Sequence, residues 1–293
     1  MKIQVITRDN GFGLTKDIQV IREAFPDATV DFTDWKKPRR DGKWDWNFHL
    51  ELIHPGHFNS ARVNAFVPNP EWYDPSWSSH LSRFDVVVAK TEDCARIFST
   101  MHRNVQTTGW TSQDPGKQVD YTMPGVLHIA GKSIMKGTPQ VLEVARQLPG
   151  VQFHLVVDKT VKAPENVKQY VLPTNDQLDE LKRIPIRLQP STYEGYGHVL
   201  NEARAMGAVT ITTDAGPMTE VGEPEYTLLC PPSHTRIKAL AKEQVPEIDA
   251  LEQCVLLAVN NLSEYGPMLG AKAREAYLKG RELFHAKIRS LVR

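Results

Sequence analysis

The chain has 293 residues, enough for one large domain or two of ordinary size, with 41% hydrophobic and 24% charged residues. Its 35 Lys and Arg balance 35 Asp and Glu, so no global field draws it to nucleic acid or an anionic membrane, and such a partner must be met by a local patch. Three widely spaced cysteines, Cys94, Cys230 and Cys254, argue against a disulfide framework or a C-x-x-C zinc site. The opening MKIQVITRDNGFG lacks the apolar core of a signal peptide, and no run of ~18 apolar residues occurs, so a reducing cytoplasm is the expected setting.

Short β-branched runs alternate with helical patterns along the chain. KIQVITR (2–8) reads as a strand, followed by a helix near residues 15–25. ATVDFTD (28–34), FHLELI (48–53), RVNAFVP (62–68) and DVVVAKT (85–91) read as further strands, with EDCARIFSTMH as the helix after the last. TSQDPGKQVDYTMPG (111–125), rich in Pro, Gly and Asp, reads as a linker. A second series follows: strand VLHIA (126–130), a helix near 138–147, and strands QFHLVVD (152–158) and VKQYVL (167–172). Helix NDQLDELKR leads to strand IRLQPS (186–191), a helix starting near Gly197, and strand AVTITTD (208–214). Residues 247–293 read as helical.

This alternation predicts an α/β fold of parallel sheets with helices on both faces. Two series around a linker predict two Rossmann-like halves facing each other across a cleft, with ligands beyond the carboxyl ends of the strands. The expected division is an acceptor-side domain over 1–112, a linker over 113–124, and a ligand-binding domain over 125–270. A terminal helix over 271–293 then packs back on the body or lies on a membrane surface: Tyr277, Phe284, Ile288 and Leu291 share a face among basic residues.

The segment STYEGYGHVLNEARAMG (191–207) carries the densest chemistry. Strand IRLQPS ends where a helix begins, so the helix N-terminus sits at the strand's carboxyl end, offering backbone N–H groups and a positive dipole end. Gly195 and Gly197 allow a phosphate to approach that backbone closely. Glu194 precedes the helix. Glu202 lies on it, at the edge of the stripe formed by Val199, Ala203 and Met206. Carboxylates so placed accept hydrogen bonds from vicinal hydroxyls, of which a nucleotide sugar has two sets. Either glutamate alone also reads as a solvated or capping residue; the glycines and the preceding strand favour the ligand reading.

PSTYEGYGHVLNEARAMGAVTITTDAGPMTE (190–220) resembles the donor-binding segment of family-4 retaining glycosyltransferases of the GT-B fold. The resemblance implies that Glu194 contacts the transferred sugar as the catalytic-site carboxylate, with no protein nucleophile, and that Glu202 holds the nucleotide ribose. It assigns phosphate and sugar contacts to the backbone of Gly195, Tyr196, Gly197, His198, Val199 and Leu200, and places Glu220 where such enzymes often have a further glutamate. In GKSIMKG, Lys132 and Lys136 take the places of the arginine and lysine that meet the donor diphosphate, with an interval one residue shorter and a point charge replacing a guanidinium fork. Two solvated lysines explain the same residues, and a P-loop does not, because Gly125 and Gly131 have one residue too many between them. VLPTND, with Leu172, falls where the nucleobase is held, although turn chemistry also accounts for it. No Asp-x-Asp triplet or His/Cys cluster marks a metal, so no cofactor is expected beyond a nucleoside diphosphate sugar, UDP-glucose-like, as co-substrate.

The N-terminal half offers less. Gly11 and Gly13 follow the first strand and are placed to approach the transferred sugar. His49, His54, His57 and His80 are candidate acceptor-side bases, with His57 the choice because IHPGHF follows a strand; a lone histidine also reads as structural. Asn69 and Glu71 are acceptor-lining candidates in a Pro-rich turn. In DWKKPRRDGKWDW (34–46), Lys36, Lys37, Arg39 and Arg40 are interleaved with Trp35, Trp44 and Trp46, a pattern that fits phosphate grip and base stacking or a solvated loop. A hydroxymethylated pyrimidine in DNA, as in phage DNA-base glycosyltransferases, is one acceptor this implies; a glycan or lipid is another. A non-catalytic nucleic-acid-binding protein, or an epimerase or phosphorylase on the same fold, are the rival readings.

Overall fold

A computed structural model describes residues 1–38 and 43–292; Arg39 and Arg40 therefore lie outside the described residues. The chain divides into two units. Unit 1 comprises residues 1–113, 238–241 and 279–293, and unit 2 comprises 114–237 and 242–278.

Unit 1 is built on six parallel strands: β1 (Lys2–Thr7), β2 (Thr29–Asp34), β3 (Trp44–Leu50), β4 (Ala61–Val67), β5 (Val86–Ala89) and β6 (Val105–Thr107), in the order β2-β1-β3-β4-β5-β6. Continuous apolar runs such as VVVA in β5 are buried on both faces, as helix-covered parallel strands require. Helix α1 (Gly13–Ala24) buries Leu14, Ile18 and Ile21, one face of a 3.6-residue period. Helix α2 (Glu92–Phe98) is capped by Thr91, whose hydroxyl accepts from the Cys94 N–H. The third strand ends three residues earlier than its FHLELI pattern suggests. Glu51 takes φ +64°, and the Leu52 N–H turns back to the Leu50 carbonyl at 2.7 Å, which halts the ladder.

Unit 2 contains β7 (Val126–Gly131), α3 (Thr138–Gln147), β8 (Phe153–Val157), β9 (Val167–Val171), α4 (Asn175–Leu181), β10 (Ile186–Gln189), α5 (His198–Ala205), β11 (Val209–Thr213), α6 (Met218–Val221) and β12 (Thr227–Cys230). Its sheet runs β12-β11-β10-β7-β8-β9, all parallel. Counted within the unit this is 6-5-4-1-2-3, the doubly wound arrangement. Its core packs Val126, Val141, Val144, Phe153, Leu155, Leu188 and Ile211 with Leu251 and Val255 of the last helix. A hairpin, β13 (Pro232–Lys238) and β14 (Ala241–Pro246), has no counterpart in the sequence reading, because PSHTRIK is polar and largely exposed.

The Pro/Gly-rich stretch after residue 113 is strapped to unit 2. The Val119 N–H bonds the Met206 carbonyl at 3.0 Å, and the Asp120 N–H bonds the Arg183 carbonyl at 2.8 Å. Arg274 grips the Asp114 carboxylate with two bonds, 2.8 and 2.7 Å. The Tyr121 hydroxyl donates to the Gly207 carbonyl at 2.5 Å beside Gly270, where an added Cβ would lie 2.2 Å from that same oxygen. The last helix, α7 (Ile248–Leu291), contributes residues up to 278 to unit 2 and the rest to unit 1. Within unit 1, Phe284 packs edge-on against Trp110 at 5.0 Å, and the Arg289 Nε donates to the Ala24 carbonyl at 2.6 Å. Tyr277, Phe284 and Ile288 are fully buried, so the apolar face that the sequence also offered to a membrane surface is covered by protein. Among the described residues no helix is long and apolar enough to cross a membrane.

Each sheet buries a histidine. Burial depresses His49 of β3 to about 3 and His128 of β7 to about 4, each from an ordinary 6.5. Both stay neutral in the folded chain, while the unfolded chain takes up protons below 6.5, so their contribution is intact above that pH and is lost as pH falls toward 4. The urea midpoint is therefore expected to be lower at about pH 5 than at about pH 7; equal midpoints would contradict neutral burial.

Candidate functional site

The strand order of unit 2 reverses between β7 and β10, so the connections from these two strands leave toward opposite sides. In doubly wound sheets such a reversal is where ligands bind, outside the carboxyl ends. Two loops line it, residues 132–137 after β7 and 190–197 after β10.

Glycine brings these loops together. Gly137 has φ +74°, and a Cβ on it would lie 2.1 Å from the Pro190 carbonyl oxygen. Only a residue without a side chain permits that approach. The contact is tied by the Thr192 N–H on the Met135 carbonyl at 2.8 Å. The Thr213 hydroxyl donates to the Ser191 carbonyl at 2.7 Å, and the Gln244 N–H to the Thr192 carbonyl at 2.8 Å. Beneath them, His128 bonds the Leu188 carbonyl through Nδ1 at 2.8 Å. A carbonyl only accepts, so Nδ1 carries the proton and Nε2 accepts from the Thr138 hydroxyl at 3.0 Å, fixing the first residue of α3.

Held this way, Lys136 meets Glu194. The ammonium donates to both carboxylate oxygens, at 2.5 and 2.7 Å, and the Ser191 hydroxyl adds a bond to Oε1 at 2.6 Å. The two side chains are only 15% and 12% exposed. Water screens such a pair weakly, and removing either partner would strand the other charge. On either side begin α3 and α5, with Gly137 and Gly197 as their N-caps, no side chain capping either and no acid in either first turn. Their dipoles add positive potential at the carboxyl ends of β7 and β10.

Glu202 lies about one turn along α5. It is buried and pairs with Lys182 at 3.1 Å. Arg187 is fully buried nearby; burial lowers it to about 9, while the Glu202 charge opposes that shift. A ribose at Glu202 would thus share the carboxylate with Lys182. The structure brings Glu194 and Lys136 into one pair, with Gly195, Gly197 and the start of α5 alongside. Lys132 is exposed. Leu172 is 65% exposed at φ +46°, its N–H on the Val157 carbonyl at 3.0 Å. Tyr196 is buried and meets the His198 ring edge-on at 5.4 Å; Leu200 is buried, Val199 half-buried. Glu220 is exposed on α6.

In unit 1, Gly11 has φ +70° and Gly13 opens α1. His57 is fully buried, its Nε2 2.8 Å from the Trp35 carbonyl; burial lowers its pKa, and it serves here as a tie between loops. Lys36 and Lys37 are exposed. Trp44 is buried and faces protein, while Trp46 is half-buried and stacks on Phe48 at 5.8 Å. Asn69 is half-buried and hydrogen-bonded to Glu51, and Glu71 is buried. Sequence reasoning missed Ser191, Lys182, Arg187 and His128. Ser191 was within the quoted segment, three residues before Glu194; the others carry no local signal. Among the described residues no three His, Cys, Asp or Glu gather as metal ligands.

Residues 122–244 match the family model described as Glycosyl transferases group 1. No curated protein matches the sequence. Among solved structures, a sucrose-phosphate synthase from Thermosynechococcus elongatus is similar with a TM-score of 0.77 and 12% identity, over 99% of this chain and 98% of that one. HepE of Anabaena in complex with UDP-glucose gives 0.76 and 12%, over 99% of each chain. An E. coli structure described as trehalose-6-phosphate bound with UDP-2-fluoro glucose gives 0.70 and 9%, over 100% of this chain and 99% of that one. The two parallel six-stranded units are those of the GT-B fold, as expected.

Because Gly137 has both a left-handed backbone and no room for a Cβ, Gly137→Ala is expected to lower the unfolding free energy by about 2–3 kcal/mol. Urea denaturation checks this. An unchanged midpoint would show that the β7 and β10 loops do not meet as described.

Proposed function

We propose that the chain moves a sugar from a nucleoside diphosphate sugar, UDP-glucose-like, to an acceptor hydroxyl, with retention of configuration, as a family-4-like member of the GT-B glycosyltransferases. The carrying observation is the Lys136–Glu194–Ser191 cluster between the uncapped starts of α3 and α5, at the sheet reversal of unit 2.

The chemistry demands these parts. As the glycosidic bond breaks, negative charge grows on the departing diphosphate, and a preorganised cation and backbone dipoles stabilise it. Lysine has three N–H donors, of which two are directed at Glu194, leaving one for a phosphate oxygen. Glu194 is fixed by two donors and so is suited to orient the hydroxyls of the transferred sugar. Glu202 and Leu172 take the ribose and base in this reading, and unit 1 supplies the acceptor. The burial of Trp44 removes one of the three rings that a DNA acceptor would use, and the stacking of Trp46 on Phe48 occupies one face of a second, which favours a glycan or lipid hydroxyl.

Incubation with a panel of nucleoside diphosphate sugars and acceptors is expected to release the nucleoside diphosphate. Lys136→Met is expected to lower kcat about 100-fold, the loss typical of a missing charge-stabilising donor. If no donor binds, and instead DNA binds with strong salt dependence, the binding-protein reading replaces this one.

A further inference from the structure

Unit 1 reverses its strand order too, between β1 and β3. Arg8 follows β1 and Glu51 follows β3, so the two residues straddle that reversal. Arg8 Nη2 donates to Glu51 Oε1 at 3.0 Å, and Asn69 Nδ2, beyond the end of β4, donates to Glu51 Oε2 at 2.8 Å. Asn69 Oδ1 accepts from Lys90 Nζ at 3.2 Å, just after β5. Lys90 also donates to Asp17 of α1 at 2.6 Å, and the other Asp17 oxygen accepts from Trp110 Nε1 at 2.6 Å. One polar chain thus runs along the carboxyl edge of the sheet.

Three features set Glu51 apart from scaffold. Its φ of +64°, at the centre of a turn closed by the Leu52 N–H on the Leu50 carbonyl, costs a side-chain-bearing residue about 1–3 kcal/mol that glycine would avoid. Charge balance does not require it. Lys90 is matched by Asp17, both almost fully buried, and Arg8 is 53% exposed and solvated by water. Its acceptor capacity also exceeds its use. Each carboxylate oxygen accepts one of the bonds above and has a second lone pair.

We infer that Glu51, with Arg8 and Asn69, is a saccharide-binding element that holds the acceptor. Glu51 accepts from a vicinal hydroxyl pair, and the guanidinium of Arg8, displaced from its cover over Glu51, donates to a neighbouring sugar oxygen. The opposite charges of Arg8 and Glu51 cancel, so the element selects a neutral, hydroxyl-rich ligand; a phosphodiester would meet the Glu51 carboxylate. The inference rests on the reading that unit 2 holds the donor, and it names the acceptor class.

Saturation-transfer NMR on the full chain without donor tests it, using the methyl α-glycosides of glucose, galactose and mannose beside a DNA duplex containing 5-hydroxymethylcytosine. At least one glycoside is expected to bind in the millimolar range. Glu51→Gln and Arg8→Gln are each expected to weaken it about ten-fold or more, the loss of a charged hydrogen bond. UDP-glucose affinity should be unchanged in both, which separates ligand contact from general loosening of the fold. Arg8→Gln alters a half-exposed side chain and carries the test if Glu51→Gln unfolds. Glycoside binding that is absent, or equal in wild type and Arg8→Gln, overturns the inference, as does binding of the duplex alone. Glycoside binding that depends on Arg8 and Glu51 without any UDP-glucose binding leaves this element standing and removes the donor reading.

Discussion

Parallel strands joined by helical crossovers must reverse their direction of winding somewhere if helices are to cover both faces of the sheet. At that reversal neighbouring loops diverge, and nothing in the sheet fills the space beyond the strand ends. Each unit here has one such place, and each puts a cation and a glutamate across it: Lys136 with Glu194 in unit 2, Arg8 with Glu51 in unit 1. The topology supplies the position, and the paired charges give it a chemistry that neither loop has alone.

The two pairs are built differently. In unit 2 the loops approach backbone to backbone through Gly137, and the pair is shielded, with helix N-termini on either side. That environment is positive and preorganised, as a diphosphate leaving group requires. In unit 1 the pair belongs to a charge-balanced chain ending at Trp110, with Arg8 at the open end. A neutral ligand that offers and accepts hydrogen bonds suits it better than an anion. The strained turn at Glu51 and the strain-free glycine at Gly137 thus serve opposite needs. One projects a side chain toward ligand, and the other removes a side chain from a contact.

Much of the fold was legible because parallel strands buried on both faces read as short apolar runs, as in VLHIA and AVTITTD. The strand–glycine–helix junction of 186–205 is legible because its parts are local: Glu194, Gly195, Gly197 and the start of α5 lie within a few residues. What stayed hidden has nonlocal causes. Lys136 and Glu194 were each marked, but their pairing spans 58 residues. The chain from Arg8 to Trp110 includes a bond across 93 residues, and no local pattern foretells it. The FHLELI pattern runs past the end of β3 because Leu52 and Ile53 stay apolar beyond the turn at Glu51. The hairpin of β13 and β14 was missed because exposed strands have no buried face to set a pattern. His57 follows a strand in the sequence, and the fold ties its ring to the Trp35 carbonyl.

Whether the reversal in unit 2 receives a sugar-bearing diphosphate is decided by a crystal structure of the chain with UDP-glucose. The diphosphate is expected against the first turns of α3 and α5, with Lys136 Nζ on a phosphate oxygen and Glu194 on sugar hydroxyls. A donor bound elsewhere, with the Lys136–Glu194 pair undisturbed, would contradict it.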